Sequence, residues 1–233
     1  MLRPREDREL EIVKSLVIFD FDGVLADSEM LANTVLAEIV SGLGVPTTPD
    51  DALRHYMGKR FHEVIAAIET TVGRPLPDDF QHDFQDRTLA RFRQDLRIID
   101  GARAYIEAFL HVPRCIASSS SPDRLALCLE VLNLTEFFGS HVYSASQVPR
   151  GKPHPDIFLH AARQMGVDPG MGIVIEDSVS GVEAGVAAGM TVIGLLAGSH
   201  IRDGHASRLT QAGAHYVAAT FLEAEQFTRA LLW

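Results

Sequence analysis

Short apolar runs alternate with helical stripes along most of the chain. Ser15-Leu16-Val17-Ile18-Phe19-Asp20 is a continuous apolar run closed by a carboxylate. Runs of this length, rich in β-branched residues, suit strands buried on both faces of a parallel sheet. Arg114-Cys115-Ile116-Ala117-Ser118 repeats the pattern and ends in a hydroxyl, and Gly172-Ile173-Val174-Ile175-Glu176-Asp177 ends in two acids. Residues 191–196 and 215–218 predict two further strands. Between them, Leu125, Cys128, Leu129 and Leu132 fall on one helix face behind a Ser121-Pro122 start, and Ile157, Phe158, Ala161, Ala162 and Met165 form a second stripe. Gly181, Gly185 and Gly189 recur every four residues and predict a glycine face packed against the sheet.

Residues 28–94 read differently. Leu31, Val35, Ile39 and Leu43 keep a four-residue beat; Phe61, Val64, Ile65 and Ile68 fall at helical spacing; Phe80, Phe84, Thr88 and Phe92 keep the beat again. No strand pattern intervenes. The expectation is an α/β fold, a doubly wound, mostly parallel sheet, with an inserted all-helical unit. The core spans 15–27 and 95–233, the insert 28–94, and residues 1–14 form a polar tail. In doubly wound sheets ligands bind at the carboxyl ends of strands, where the pattern places Asp20, Ser118 and Asp177.

Composition narrows the classes. With 46% hydrophobic and 22% charged residues the chain is an ordinary folded protein rather than a disordered one. No apolar run approaches the ~20 residues of a membrane span, so no membrane association is expected. The charged first residues offer no apolar core for a secretory signal. Cys115 and Cys128 lie in apolar segments without metal-site spacing and read as buried, reduced thiols of a cytoplasmic protein. A net charge of −10 argues against nucleic acid as a partner and leaves room for a small anion held by a local basic cluster.

Asp20-Phe21-Asp22-Gly23-Val24-Leu25 carries the sharpest chemistry. Strand alternation sends the two carboxylates the same way, a costly arrangement unless a cation or proton is shared. Mg²⁺, which prefers oxygen ligands and keeps phosphate oxygens beside it, would answer that need; a solvated aspartate-rich loop is the alternative. The segment resembles the first motif of the haloacid dehalogenase superfamily, DxDGx[TVL]. Ser118 resembles the second motif, Lys152 within Gly151-Lys152-Pro153-His154-Pro155-Asp156-Ile157-Phe158 the third, and Glu176-Asp177-Ser178 the fourth. The insert is similar to the helical C1 cap of β-phosphoglucomutase-like members.

The resemblance implies a Rossmann-like core and a phosphatase acting on a small phosphorylated metabolite, a sugar phosphate or phosphorylated sugar acid. It makes Asp20 the nucleophile that forms an aspartyl-phosphate and Asp22 the general acid, then base. Lys152 would neutralise the phosphoryl oxygens. Mg²⁺ would be held by Asp20, the Asp22 carbonyl and Asp177, with Glu176 in or near its shell. Ser118 and Ser119 would bind the phosphate; a strand-end cap for Ser118 and helix capping for Ser119 to Ser121 are the other readings. Lys59 and Arg60, in the His55–His62 loop between two cap helices, would read the leaving group, or else be a solvated helix start. Asp27-Ser28-Glu29 marks the hinge to the insert.

A dehalogenase would not carry aspartate at position 22. A phosphonatase would carry a lysine near the first insert helix, and residues 28–42 contain none. β-Phosphoglucomutase carries a histidine where counting from Asp27 gives Ala32, which disfavours a mutase. A catalytically silent binding module is the remaining alternative. A monomer is expected, with a dimer as the other possibility.

Overall fold

The computed structural model describes residues 15–57, 59 and 61–232; the tail at 1–14 lies outside them. Among the described residues six strands form one sheet in the order β3-β2-β1-β4-β5-β6, every neighbouring pair parallel. They are β1 (Leu16–Phe19), β2 (Arg114–Ser118), β3 (Val142–Ser144), β4 (Gly172–Glu176), β5 (Thr191–Leu195) and β6 (Tyr216–Ala218). The three-residue edge strand β3 has no counterpart in the sequence reading. The other five fall where the apolar runs lie, within a residue or two at each end.

Alternation along β1 explains why its run is apolar throughout. Val17 and Phe19 join one core cluster, with Ile116, Ile175 and Ile193 from neighbouring strands. Leu16 and Ile18 join a second cluster on the other face, with Cys115, Val174 and Val192. Helices α5 (Ala102–Ala108), α6 (Pro122–Val131), α7 (Thr135–Phe138) and α11 (Phe221–Leu231) cover the first face. Helices α8 (Asp156–Met165), α9 (Val179–Ala187) and α10 (His205–Gln211) cover the second. Both cysteines are free and buried.

Between β1 and α5 run α1 (Glu29–Gly42), α2 (Pro49–Tyr56), α3 (Phe61–Val72) and α4 (Phe80–Asp95). Val35, Val40, Ala52, Val64, Ile68 and Phe80 give these helices a hydrophobic cluster of their own, while Phe92, near the end of α4, belongs to the first sheet-face cluster. The segments leading into and out of this insert run side by side: Ala26 bridges Ile98, and Asp27 N–H donates to the Arg97 carbonyl at 2.9 Å.

The glycine face on α9 is only partly a packing face. Gly185 lies against Val192. Gly189 instead follows the helix at φ +74°, with its N–H bonded to the Val186 carbonyl and that of Met190 to Gly185. This is a Schellman ending, which favours glycine for its backbone rather than its size.

The sheet order reverses direction between β1 and β4, and the crevice outside their carboxyl ends is where such sheets bind ligands. Asp20 and Asp177 each follow one of these two strands directly.

Candidate active site

A cleft of about 640 Å³ opens at these strand ends and is lined by Asp20, Asp22, Ser118, Ser119, Lys152, Glu176 and Asp177, with Lys59 from the insert. That volume suits a small metabolite. Arg60 lies outside the described residues.

Lys152 is the central cation. Its Nζ donates to Asp20 Oδ1 at 2.5 Å and to Glu176 Oε1 at 2.7 Å, with its side chain only 4% exposed. Burial works against the ammonium, yet the two carboxylates hold Lys152 above its ordinary pKa. Glu176, fully buried at the end of β4, gives its second oxygen to the Ser178 N–H and hydroxyl. Both of its oxygens are therefore committed to protein donors. Gly181 makes the arrangement possible, since a Cβ there would lie 1.6 Å from Glu176 Oε1.

Asp22 keeps different company. Its Oδ1 accepts from Ser28 Oγ and Arg124 Nη2, and its Oδ2 from Ser120 Oγ, each at 2.5 Å. Burial pushes the Asp22 carboxyl up, but Arg124 and the two hydroxyls outweigh it and the net shift is downward. Ser118, 1% exposed, accepts the Ser120 N–H at 3.1 Å.

Asp177 is held from two sides. His200 Nε2 meets its Oδ2 at 2.9 Å, and His205 Nε2 donates to its main-chain carbonyl at 2.5 Å. Arg208 Nη2 donates to His205 Nδ1 at 2.8 Å, which fixes a neutral ring protonated on Nε2. Burial also lowers the pKa of His205. Gly23, at φ +79°, lets the turn after β1 come this close: a Cβ would lie 2.0 Å from Asp177 Oδ2.

The carboxylates are short of positive charge. Burial, together with neighbouring carboxylates, raises Asp20 and Asp177 well above the usual range and raises Glu29 at the mouth of the insert as well. Two buried carboxylates held apart from enough cations make a donor set that suits a divalent ion. Among the described residues no three acidic, histidine or cysteine side chains form a closed cage. Mg²⁺ does not require one, because it binds through one or two carboxylates and fills its remaining positions with waters and substrate phosphate.

The family model for haloacid dehalogenase-like hydrolases matches residues 14–189. The chain belongs to this family. Among its haloacid dehalogenase-like relatives, the 6-phosphogluconate phosphatase of Escherichia coli K12 is 28% identical over 185 residues, spanning 79% of this chain and 83% of that protein. A phosphorylated carbohydrates phosphatase from Thermotoga maritima is 34% identical over 202 residues, 85% of this chain and 91% of that one. The crystal structure of a conserved haloacid dehalogenase-like protein from Agrobacterium tumefaciens superposes with a TM-score of 0.85 at 36% identity, covering 94% of this chain and 100% of that one. The crystal structure of a β-phosphoglucomutase-like protein from Thermotoga maritima also superposes on this chain, with a TM-score of 0.77 at 27% identity, covering 93% of this chain and 99% of that one.

Sequence reasoning missed Arg124, His200, His205 and Arg208, and treated Ser28 only as linker and Ser120 only as helix capping. Arg124 carried a usable signal. It occupies the first turn of α6, where the helix dipole disfavours a cation.

Proposed function

We propose that the chain, a phosphatase of this family, hydrolyses small phosphorylated carbohydrates and sugar acids in the cytoplasm, through a covalent phosphate on Asp20. The observation that carries this reading is the buried Asp20–Lys152–Glu176 array at the β1 and β4 ends. It presents a carboxylate oxygen beside a fixed ammonium at the mouth of a metabolite-sized cleft.

In this reading the core comprises 15–27 and 95–233 and the helices of 28–94 act as a cap. Asp20 attacks phosphorus, and the bond from phosphorus to the leaving oxygen breaks. The anionic ester entering the cleft raises the proton affinity of Asp22, which takes a proton from solvent and gives it to that oxygen; the carboxylate then accepts one from the water that attacks the phosphoenzyme. Lys152 offsets charge on the phosphoryl oxygens while Glu176 holds Lys152 in place. Ser118 and Ser119 donate to the phosphate. Asp20, Asp177 and the Asp22 carbonyl would hold Mg²⁺, which when bound supplies further neutralisation of the transferring group.

Lys59, lining the cleft from the insert, and Arg60 after it would bind a second anionic or polar end of the substrate. The named substrates of the two curated relatives, a phosphorylated sugar acid and phosphorylated carbohydrates, support this class. Ala32 in place of the mutase histidine supports hydrolysis over phosphoryl return.

The test is release of inorganic phosphate from a panel of sugar phosphates, phosphorylated sugar acids and p-nitrophenyl phosphate in the presence of Mg²⁺. Turnover highest on the acidic and polyhydroxylated esters is expected. No release from any of them would refute the reading.

A further inference from the structure

We propose that Arg124 is a positioning residue for Asp22, fixing the carboxylate toward the leaving oxygen; the inference rests on the phosphatase reading above. Three observations carry it. Arg124 follows the Ser121 cap and Pro122 in the first turn of α6, where a cation is disfavoured by the helix dipole. Its side chain is only 24% exposed, and its Nε is buried without a hydrogen-bond partner. Neither feature favours folding, so the residue answers to something else in the site. That something is Asp22, which takes Arg124 Nη2 at 2.5 Å.

The other two donors to Asp22, Ser28 Oγ and Ser120 Oγ, are single hydroxyls free to turn about one bond. Arg124 is the charged donor, and its guanidinium lies 4.9 Å from the centre of the Phe92 ring. Phe92 is fully buried among the sheet-face residues. A planar cation stacked on an immobile ring has little freedom, and it transfers that constraint to the carboxylate it binds. Asp22 needs such a constraint, since acid–base work on one oxygen atom demands a defined reach and direction. A purely structural arginine would have no connection to the leaving group.

Leaving-group dependence separates the two roles. A sugar alkoxide departs poorly and depends on a proton from Asp22, whereas p-nitrophenolate departs without one. The experiment compares kcat/KM of the unmodified chain, R124M and R124K on p-nitrophenyl phosphate and on the best alkyl ester of the panel, with thermal unfolding to verify folding. R124M should lose about 10²-fold on the alkyl ester, the lower end of general-acid contributions, mainly in kcat, and no more than about threefold on the aryl ester. R124K keeps the charge without the planar fork, so it should show a smaller split in the same direction and carries the test if R124M does not fold. On a D22N background, R124M should leave the alkyl-to-aryl ratio unchanged, because the residue it positions has lost its proton chemistry.

Equal losses on both esters in R124M and R124K, or a full further loss of the ratio on the D22N background, would overturn the proposal while leaving the phosphatase reading intact. Failure of the unmodified chain to turn over either ester would overturn both.

Discussion

Replacing Gly181 by alanine sets two effects of opposite sign against each other. Gly181 lies in the first turn of α9, and on helix propensity alone alanine should stabilise the chain by at most about 1 kcal/mol. The added Cβ would lie 1.6 Å from Glu176 Oε1 and 1.9 Å from its Cδ. The carboxylate must therefore move by more than an ångström. It cannot do so freely, being fully buried and bonded to Lys152 Nζ at 2.7 Å and to the Ser178 N–H at 2.7 Å. Separating a buried ion pair costs about 3–5 kcal/mol, so the contact outweighs the propensity and the net loss is about 2–4 kcal/mol. At roughly 2–4 °C per kcal/mol for a chain of this size, the melting temperature should fall by roughly 4–16 °C. Circular dichroism melts of G181A beside G42A supply the assay, because a Cβ at Gly42 meets nothing within 4 Å. Phosphate release by G181A should fall as well, since Lys152 loses the carboxylate that places it. A G181A melt equal to or above that of the unmodified chain would refute the reasoning about Glu176.

Other consequences can be checked separately. Replacing Lys59 and Arg60 with alanine should lower kcat/KM on the preferred acidic ester by roughly ten- to a hundredfold, the worth of a charge-assisted contact, and much less on an aryl phosphate; equal small effects would show a solvated loop. Chelation should abolish phosphate release and Mg²⁺ restore it, with Ca²⁺ a poor substitute because its coordination is longer and looser; full activity in excess chelator would remove Asp20 and Asp177 from the metal's ligands. Burial pushes the Cys115 thiol far up and the Cys128 thiol up to about 12, so neither should react appreciably with a thiol reagent at pH 8 until the chain unfolds. Rapid labelling of the folded chain would contradict their burial.

The parts of this protein that were legible in its sequence are those whose physics is local or periodic. Strands β1, β2 and β4 are apolar runs because both their faces are covered, and the chemistry-bearing residues come at their ends. The insert announced itself through helical spacing without any strand signal. The edge strand β3 is three residues long, with Val142 and Tyr143 its only apolar members, so no run marks it. The site shows the same division. Asp20, Ser118, Lys152 and Asp177 stand in motifs, and the structure brings them to one cleft. Arg124, His200 and His205 reach it from α6, from the loop after β5 and from α10, and only the tertiary fold gives them their partners. Glu176 was expected in or near the metal's shell. Its oxygens are taken up by Lys152 and Ser178, a preference visible only once Lys152 and Glu176, 24 residues apart in sequence, are seen side by side.

The central claim is that Asp20 carries the phosphoryl group. The most direct measurement is phosphate release by D20N on the best ester of the panel, with a thermal melt of the same sample. Asparagine keeps the size of the side chain and removes its nucleophilic oxygen charge, so the fold should persist while turnover falls to background. A folded D20N that releases phosphate at near the unmodified rate would contradict the account.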